Sequence, residues 1–115
     1  MQNIRLSRVD SEIQKAVASI IDARVRDENL GAMISVQLVK TTPDLMMSTV
    51  YITVLGADEK QMLNYLNAHK KQIRKELAKH IRLKTIPDLT FVLDKFYDYT
   101  LHMDELFKTI EGDKK

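Results

Sequence analysis

The chain has 115 residues, 44% of them hydrophobic and 30% charged, and its formal net charge is +2 at pH 7. This length suits one domain, and the composition is globular, which excludes an intrinsically disordered chain. The absence of cysteine excludes disulfides and thiolate metal sites, and no stretch approaches the ~20 apolar residues of a membrane-spanning helix.

The first periodic segment predicts a helix. Apolar residues recur at steps of three and four between Val9 and Val25, and Gly31 follows as a stop signal. The helix is expected to run from about residue 7 to about residue 28.

Two alternating segments follow. MISVQLVK at 33–40 and STVYITVL at 48–55 alternate apolar and polar residues, and the turn-forming stretch TTPDL at 41–45 separates them. This arrangement predicts a β-hairpin. Its apolar face is expected to carry Ile34, Val36, Leu38, Val50, Ile52 and Val54.

The second half of the chain predicts a long helix, a strand and a last short helix. Residues from about 58 to about 82 contain neither glycine nor proline, and Pro87 blocks further helix. LTFVLD at 89–94 alternates as a strand, and YTLHMDELFKTI at 99–110 suits a helix. We therefore expect an α+β fold with a three-stranded sheet covered on one side by helices. With no linker or repeat, it forms a single domain over residues 1–115.

Positive charge is concentrated in HKKQIRKELAKHIRLK at 69–84. Seven of these residues are Lys or Arg, two are His, and Glu76 is the only acid. In a helix, the apolar residues Ile73, Leu77 and Ile81 share one stripe. Lys71, Lys75, Lys79 and Arg82 are predicted to lie opposite this stripe, and Lys70 and Arg74 to flank it. A solvated helix face usually mixes both signs, so this face is expected to meet an anion, with RNA phosphate the natural one.

Other reactive residues form no recognised site. His69, His80 and His102 do not follow a metal-binding pattern, and no glycine-rich phosphate loop or nucleophile motif is present. Tyr51 offers base stacking, although a Tyr between two Thr in a strand is more often sheet surface. We therefore expect no catalytic residue, no metal and no cofactor.

Several motifs together resemble the ribosome-binding factor A family of bacteria. They are the helix ending D-E-N-L-G at 27–31, the turn T-T-P-D-L at 41–45, the strand S-T-V-Y-I-T-V at 48–54, the segment I-R-L-K-T-I-P-D-L-T-F at 81–91 and M-D-E-L-F-K-T-I at 103–110. The resemblance spans about residues 5 to 110. It implies a type II KH-like fold and a non-enzymatic factor that binds the small (30S) ribosomal subunit. It also implies help with late maturation of 16S rRNA, including its 5′ end, and a role in growth in the cold.

The chain departs from this family at one position. The family breaks its long helix with a small residue and a glycine, and the corresponding positions here are His69, Lys70 and Lys71. The resemblance thus predicts a kink in the helix without the glycine that usually forms it.

The leading hypothesis is an RNA-binding assembly factor that acts as a cytoplasmic monomer without membrane contact. Its predicted phosphate-binding residues are Lys70, Lys71, Arg74, Lys75, Lys79, Arg82 and Lys84, with Arg5 and Arg8 extending the surface from the first helix. One alternative is an adaptor whose basic helix binds an acidic protein. Another is an enzyme acting on RNA, which would need clustered carboxylates or a His pair near the basic segment.

Overall fold

The computed structural model describes residues 4–94, with side chains from Leu6 onward. Its elements are α1 (Ile4–Asp27), β1 (Met33–Thr41), β2 (Met47–Leu55), α2 (Glu59–Ala68), α3 (Lys70–His80) and β3 (Asp88–Leu93). The predicted order is confirmed as far as β3, and the helix expected within 99–110 lies outside the described residues. None of the described helices combines the length and apolar character of a bilayer crossing.

β2 is the central strand of a sheet with the order β1-β2-β3. β1 pairs with it antiparallel, as the predicted hairpin requires, whereas β3 is parallel. A parallel pair needs a crossover connection, which α2 and α3 supply. The apolar face of the sheet packs against the helices. The most deeply buried side chains include Ile13, Val17, Ile21, Val50, Ile52, Leu66, Ile73, Leu77 and Phe91.

A β-bulge in β1 changes which of its side chains point toward the core. The pairing of β1 with β2 shifts between Val36 and Leu38, so Gln37 is an extra residue. Side chains alternate along a strand, and a bulge therefore exchanges the faces of the residues after it. Val39 is 1% exposed, whereas Leu38 is 43% exposed. The prediction that Leu38 shares the core face with Ile34 and Val36 is wrong.

The long helix predicted from about 58 to 82 is two helices, because His69 interrupts it. The backbone of His69 has φ −104° and ψ 12°, which is outside the helical region but does not require glycine. Its N–H donates to the carbonyls of Tyr65 and Leu66, both at 3.1 Å, and its Nδ1 donates to the Tyr65 carbonyl at 2.8 Å. Its ring also packs on the Tyr65 ring, with centroids 4.3 Å apart. The predicted kink is thus formed without glycine.

The position at which α3 ends also changes the predicted direction of one side chain, that of Arg82. Ile81, the residue after the helix, is extended with φ −127° and ψ 156°. An extended backbone lets Ile81 and Leu83 both pack against the core, which leaves Arg82 between them exposed. The predicted position of Arg82 on the helix face with Lys71, Lys75 and Lys79 is therefore wrong.

Side chains from the helices occupy the two edges of the sheet. The Asn67 amide bonds both backbone groups of Phe91 in β3, donating to its carbonyl and accepting from its N–H at 3.0 Å each. At the β1 edge, Gln14 Nε2 donates to the Val36 carbonyl at 3.3 Å and Asp10 Oδ1 accepts from the Thr41 N–H at 3.0 Å. These bonds use backbone groups that a further strand would need.

Candidate nucleic-acid interface

The first turn of α3 places positive charge at a helix end that favours negative charge. Lys70 and Lys71 are exposed there, the turn contains no acidic residue, and His69 provides no side-chain cap. A helix N-terminus carries unpaired N–H groups and a partial positive charge, so cations in this position are unfavourable by themselves. A bound anion would relieve the unfavourable charge.

A groove opens beside this turn, between α3 and the start of the sheet. Its basic wall is formed by α3, and its other wall comes from the first residues of β2 and β3. The groove has a volume of about 220 Å³ and is lined by Met47, Lys70, Lys71, Arg74, Asp88 and Leu89. This α3–β3 groove combines cations with the exposed apolar side chain of Met47, and Asp88 adds one carboxylate. It therefore offers contacts to a phosphate backbone and to the sugar or base attached to it.

Arg74 is largely engaged within the protein. Its Nη2 donates to the Ile86 carbonyl at 2.7 Å, and its Nε lies 3.1 Å from that oxygen and 3.2 Å from the Pro87 carbonyl. The same Nε is 3.3 Å from a carboxylate oxygen of Asp88. The guanidinium thus holds the segment before β3 against α3 and shapes the groove. A phosphate contact by Arg74, as predicted from the sequence, would compete with these bonds.

The remaining lysines of α3 are available to solvent. Lys75 and Lys79 are exposed, and together with Lys71 they follow one another at steps of four. Such residues form one ridge of a helix, with a rise of about 6 Å per step. Lys84 is exposed in the segment between α3 and β3. The structure therefore places Lys70 and Lys71 at the α3–β3 groove, and Lys75 and Lys79 continue from Lys71 along α3.

Arg82 lies in a second groove, between α1 and the end of α3. This α1–α3 groove has a volume of about 570 Å³ and is lined by Glu12, Lys15, Ala16, Ser19, His80, Ile81 and Arg82. Arg8 is exposed on α1, one helical turn before Glu12. The side chain of Arg5 lies outside the described residues. The predicted basic surface is thus divided between two grooves, and sequence reasoning missed the contribution of Lys15 to the second.

A polar network joins the last turns of α1 to α2 and α3. The side chain of Arg24 is only 12% exposed, and its Nη1 lies 3.4 Å from both Glu28 Oε2 and Tyr65 Oη. Its Nη2 donates to Gln72 Oε1 at 3.1 Å and lies 3.7 Å from Glu76 Oε1. The Tyr65 hydroxyl donates to Glu28 Oε2 at 2.7 Å. The network therefore connects the three helices that meet near the break at His69.

Only one pair of this network has a recognisable spacing in the sequence. Arg24 and Glu28 are four residues apart in a predicted helix, which is the spacing of an ion pair. The other partners follow from the packing of separate helices and could not be read from local spacing. Burial of Tyr65, with a further contribution from its bond to Glu28, raises the pKa of this tyrosine above its usual value of 10.0.

Residues 4–94 were expected to contain no metal site. This part of the chain contains no group of three or more His, Cys, Asp or Glu side chains arranged to hold a metal ion. Tyr51 is partly buried in the central strand, opposite Leu38 of β1 and Val92 of β3.

The chain is similar to ribosome-binding factor A proteins over most of its length. The family model of ribosome-binding factor A matches residues 5–107. The chain belongs to this family. Ribosome-binding factor A of Clostridium beijerinckii is 36% identical over 113 residues, covering 96% of each chain. Ribosome-binding factor A of Finegoldia magna is 37% identical over 109 residues, covering 92% of this chain and 90% of its own.

Solved structures of ribosome-binding factor A confirm the KH-like α+β fold. The crystal structure of the Thermus thermophilus protein superposes with a TM-score of 0.68 at 23% identity, covering 76% of this chain and 94% of that chain. A homology model of ribosome-binding factor A from the same organism was fitted into a cryo-EM map of its 30S complex. It gives a TM-score of 0.62 at 23% identity over 72% of this chain and 88% of that chain.

Proposed function

We propose that this chain is a non-catalytic assembly factor that binds the small (30S) ribosomal subunit. In this role it assists late maturation of 16S rRNA, including the 5′ end. Membership of the ribosome-binding factor A family carries the proposal. The 30S complex of the Thermus thermophilus protein supports the choice of the small subunit as partner. Action on the ribosomal subunit would take place in the cytoplasm, with the single domain acting as a monomer.

The proposed contact surface is the exposed basic part of α3 and the loop after it. Lys70 and Lys71 contact phosphates at the α3–β3 groove, and Lys75, Lys79 and Lys84 extend the surface. Lysine acts as a point charge toward phosphate, and this surface has few aromatic side chains. Recognition therefore depends on the shape and backbone of the RNA more than on base identity. Arg82 and Arg8 add charge from the other side of α3.

The first test is binding to purified small subunits across a salt series, with large subunits as the control. Each neutralised phosphate releases counterions, so about four to six contacts predict a slope of log affinity against log salt of roughly −3 to −5. Equal binding to both subunits would contradict a specific small-subunit factor. Partner binding that survives RNase treatment would favour the protein adaptor, and RNA cleavage by the pure protein would contradict the absence of catalysis.

Charge reversal tests the surface itself. The variant Lys75→Glu/Lys79→Glu is expected to weaken subunit binding strongly, because it removes two cations and adds two repelling charges. Lys40→Glu/Lys60→Glu makes the same change at two exposed lysines in β1 and α2 and serves as the matched control. Undiminished binding by a correctly folded Lys75→Glu/Lys79→Glu protein would show that this surface does not face the RNA.

A further inference from the structure

The α1–α3 groove combines several hydrogen-bond donors in one concave surface. Lys15 and Ser19 reach it from α1, and His80 and Arg82 reach it from the end of α3. Ala16 and Ile81 supply the apolar lining between them. Glu12 is the one carboxylate in the lining. Among the described residues, this groove is a cationic surface distinct from the α3–β3 groove.

The position of Arg82 follows from the way α3 ends. The extended Ile81 donates its N–H to the Leu77 carbonyl at 3.1 Å, and the side chains of Ile81 and Leu83 turn toward the core. In an extended segment the intervening side chain points the opposite way. Arg82 therefore lines the groove because its two neighbours pack against the core. It is not part of α3, which ends at His80.

The α1 side of the groove carries charges of both signs. Arg8, Lys15 and Ser19 lie on one stripe of α1, since they follow at steps of seven and four residues. Glu12 and Asp22 share this stripe and balance its two cations, so Arg82 supplies the net positive charge of the groove. Their carboxylates can accept hydrogen bonds but repel phosphate, so phosphate is expected at Lys15 and Arg82 and a ribose hydroxyl nearer Glu12.

The two grooves lie on different sides of α3. One is bounded by α3 and the sheet, and the other by α3 and α1. Lys70 begins the helix and His80 ends it, ten residues later, which corresponds to about 15 Å along the axis. A single phosphate contact cannot span this distance, so each groove must meet its own part of a polyanion.

We infer that the α1–α3 groove is a second contact site for RNA backbone, which Lys15 and Arg82 form together. The protein thereby holds two segments of RNA at once, one on each side of α3. This inference rests on the proposed function, because it takes ribosomal RNA as the ligand. It adds a residue of α1, Lys15, to the binding surface and assigns Arg82 to a site separate from Lys70 and Lys71.

The test compares charge-neutral variants on small ribosomal subunits across a salt series. Lys15→Gln/Arg82→Gln is expected to lower affinity and to reduce the steepness of the salt dependence by about 1.5, since each lost phosphate contact removes about 0.7–0.9. Lys40→Gln/Lys60→Gln removes the same charge elsewhere and is expected to leave the slope unchanged. Circular dichroism checks that both proteins fold, as expected for substitutions at exposed side chains.

A combined variant tests simultaneous contact. Adding Lys71→Gln/Lys75→Gln to Lys15→Gln/Arg82→Gln is expected to reduce the slope by the sum of the two separate effects, because distant sites add. If the two grooves instead bound the same segment in turn, either pair alone would leave the slope nearly unchanged. That result would overturn the inference of two simultaneous contacts.

The remaining outcomes separate this inference from the proposed function. Small-subunit binding that depends on Lys71 and Lys75 but not on Lys15 and Arg82 overturns the second site and leaves the proposed function standing. Failure of the unmodified protein to bind small subunits overturns both. Lys15→Gln/Arg82→Gln could also lower the affinity for small subunits but not for protein-free 16S rRNA. That result would assign the groove to a ribosomal protein and overturn the RNA contact.

Discussion

Arg74 shows that a residue predicted from the sequence to bind phosphate also has a structural role. Its sequence position beside lysines predicted a phosphate contact, yet its guanidinium bonds the carbonyls of Ile86 and Pro87. These partners are twelve and thirteen residues away in sequence and become neighbours only when β3 joins the sheet. A planar guanidinium can bond two carbonyls and a carboxylate together, which an ammonium group cannot reproduce with the same geometry. Arginine at this position is therefore explained by the fold before any ligand is considered.

Tyr65 gives a pH-dependent prediction. Its folded-state pKa is raised above 10.0, mainly by burial and then by its bond to Glu28. The folded protein thus keeps this proton more tightly than the unfolded chain does. The resulting contribution to the free energy of unfolding is fully present below pH 10. It is lost as pH rises from 10 through the raised pKa of Tyr65.

The variant Tyr65→Phe removes the hydroxyl and therefore this pH dependence. It is expected to unfold more easily than the unmodified protein at pH 7, by about 1 kcal/mol, because the bonds to Glu28 and Arg24 are lost. Urea unfolding at several pH values should show the difference between the two proteins narrowing above pH 10. A difference that stays constant up to pH 11 would mean that the Tyr65 hydroxyl does not titrate as its surroundings indicate.

The regular elements could be predicted from the sequence because each repeats a simple period. The steps of three and four in α1 and the alternation in β2 and β3 correctly placed Ile13, Ile52 and Phe91 in the core. The exceptions are single residues where a period changes. Gln37 is inserted as a bulge, and nothing in the local pattern distinguishes a bulged strand from a regular one.

The break at His69 needed more than periodicity. No glycine or proline marks it, and the apolar pattern continues on both sides. Only the resemblance to a family pointed to these positions. The structure supplies the physical reason, since contacts of His69 with Tyr65 and the bonds of Arg24 to both helices make an interrupted helix stable.

The junction of the three helices can be tested at Arg24. Arg24→Met keeps an unbranched side chain but leaves Glu28, Tyr65, Gln72 and Glu76 without this partner. The free energy of unfolding is expected to fall by about 1–3 kcal/mol, because a largely buried charged donor with several bonds is lost. Chemical denaturation measures the change.

Arg26→Met is the matched control for Arg24. Arg26 lies in the same turn, is 76% exposed and pairs only with its neighbour Asp27 among the ion pairs of residues 4–94. Its substitution is expected to change the free energy of unfolding by less than about 0.5 kcal/mol. Equal effects of the two substitutions would show that the network does not stabilise the junction.

At the scale of the whole molecule, side chains limit association through the sheet. The bonds of Asn67 to Phe91 occupy part of the β3 edge, and those of Gln14 and Asp10 occupy part of the β1 edge. Open edges are the usual route by which small β-containing domains join one another. This arrangement supports the prediction of a monomer.

Asn67→Ala tests that prediction. Loss of both amide bonds leaves the N–H and carbonyl of Phe91 without their side-chain partner, and the free energy of unfolding is expected to fall by about 1–3 kcal/mol. Sedimentation velocity is expected to show concentration-dependent association of the variant, while the unmodified protein remains monomeric. Asn64→Ala removes an exposed amide one turn earlier in α2 and is the control. An oligomeric unmodified protein, or a strictly monomeric Asn67→Ala variant, would contradict this role of the amide.

The break at His69 also bears on the entropy of binding. A glycine at that position would leave the backbone free to sample many angles, and ordering it against RNA would cost conformational entropy. Here the ring contact of His69 with Tyr65 and the bonds of Arg24 to both helices restrain the junction between α2 and α3. Lys70 and Lys71 are therefore presented in a preorganised arrangement. In the proposed role of these lysines, RNA binding would require little further ordering of the helix junction.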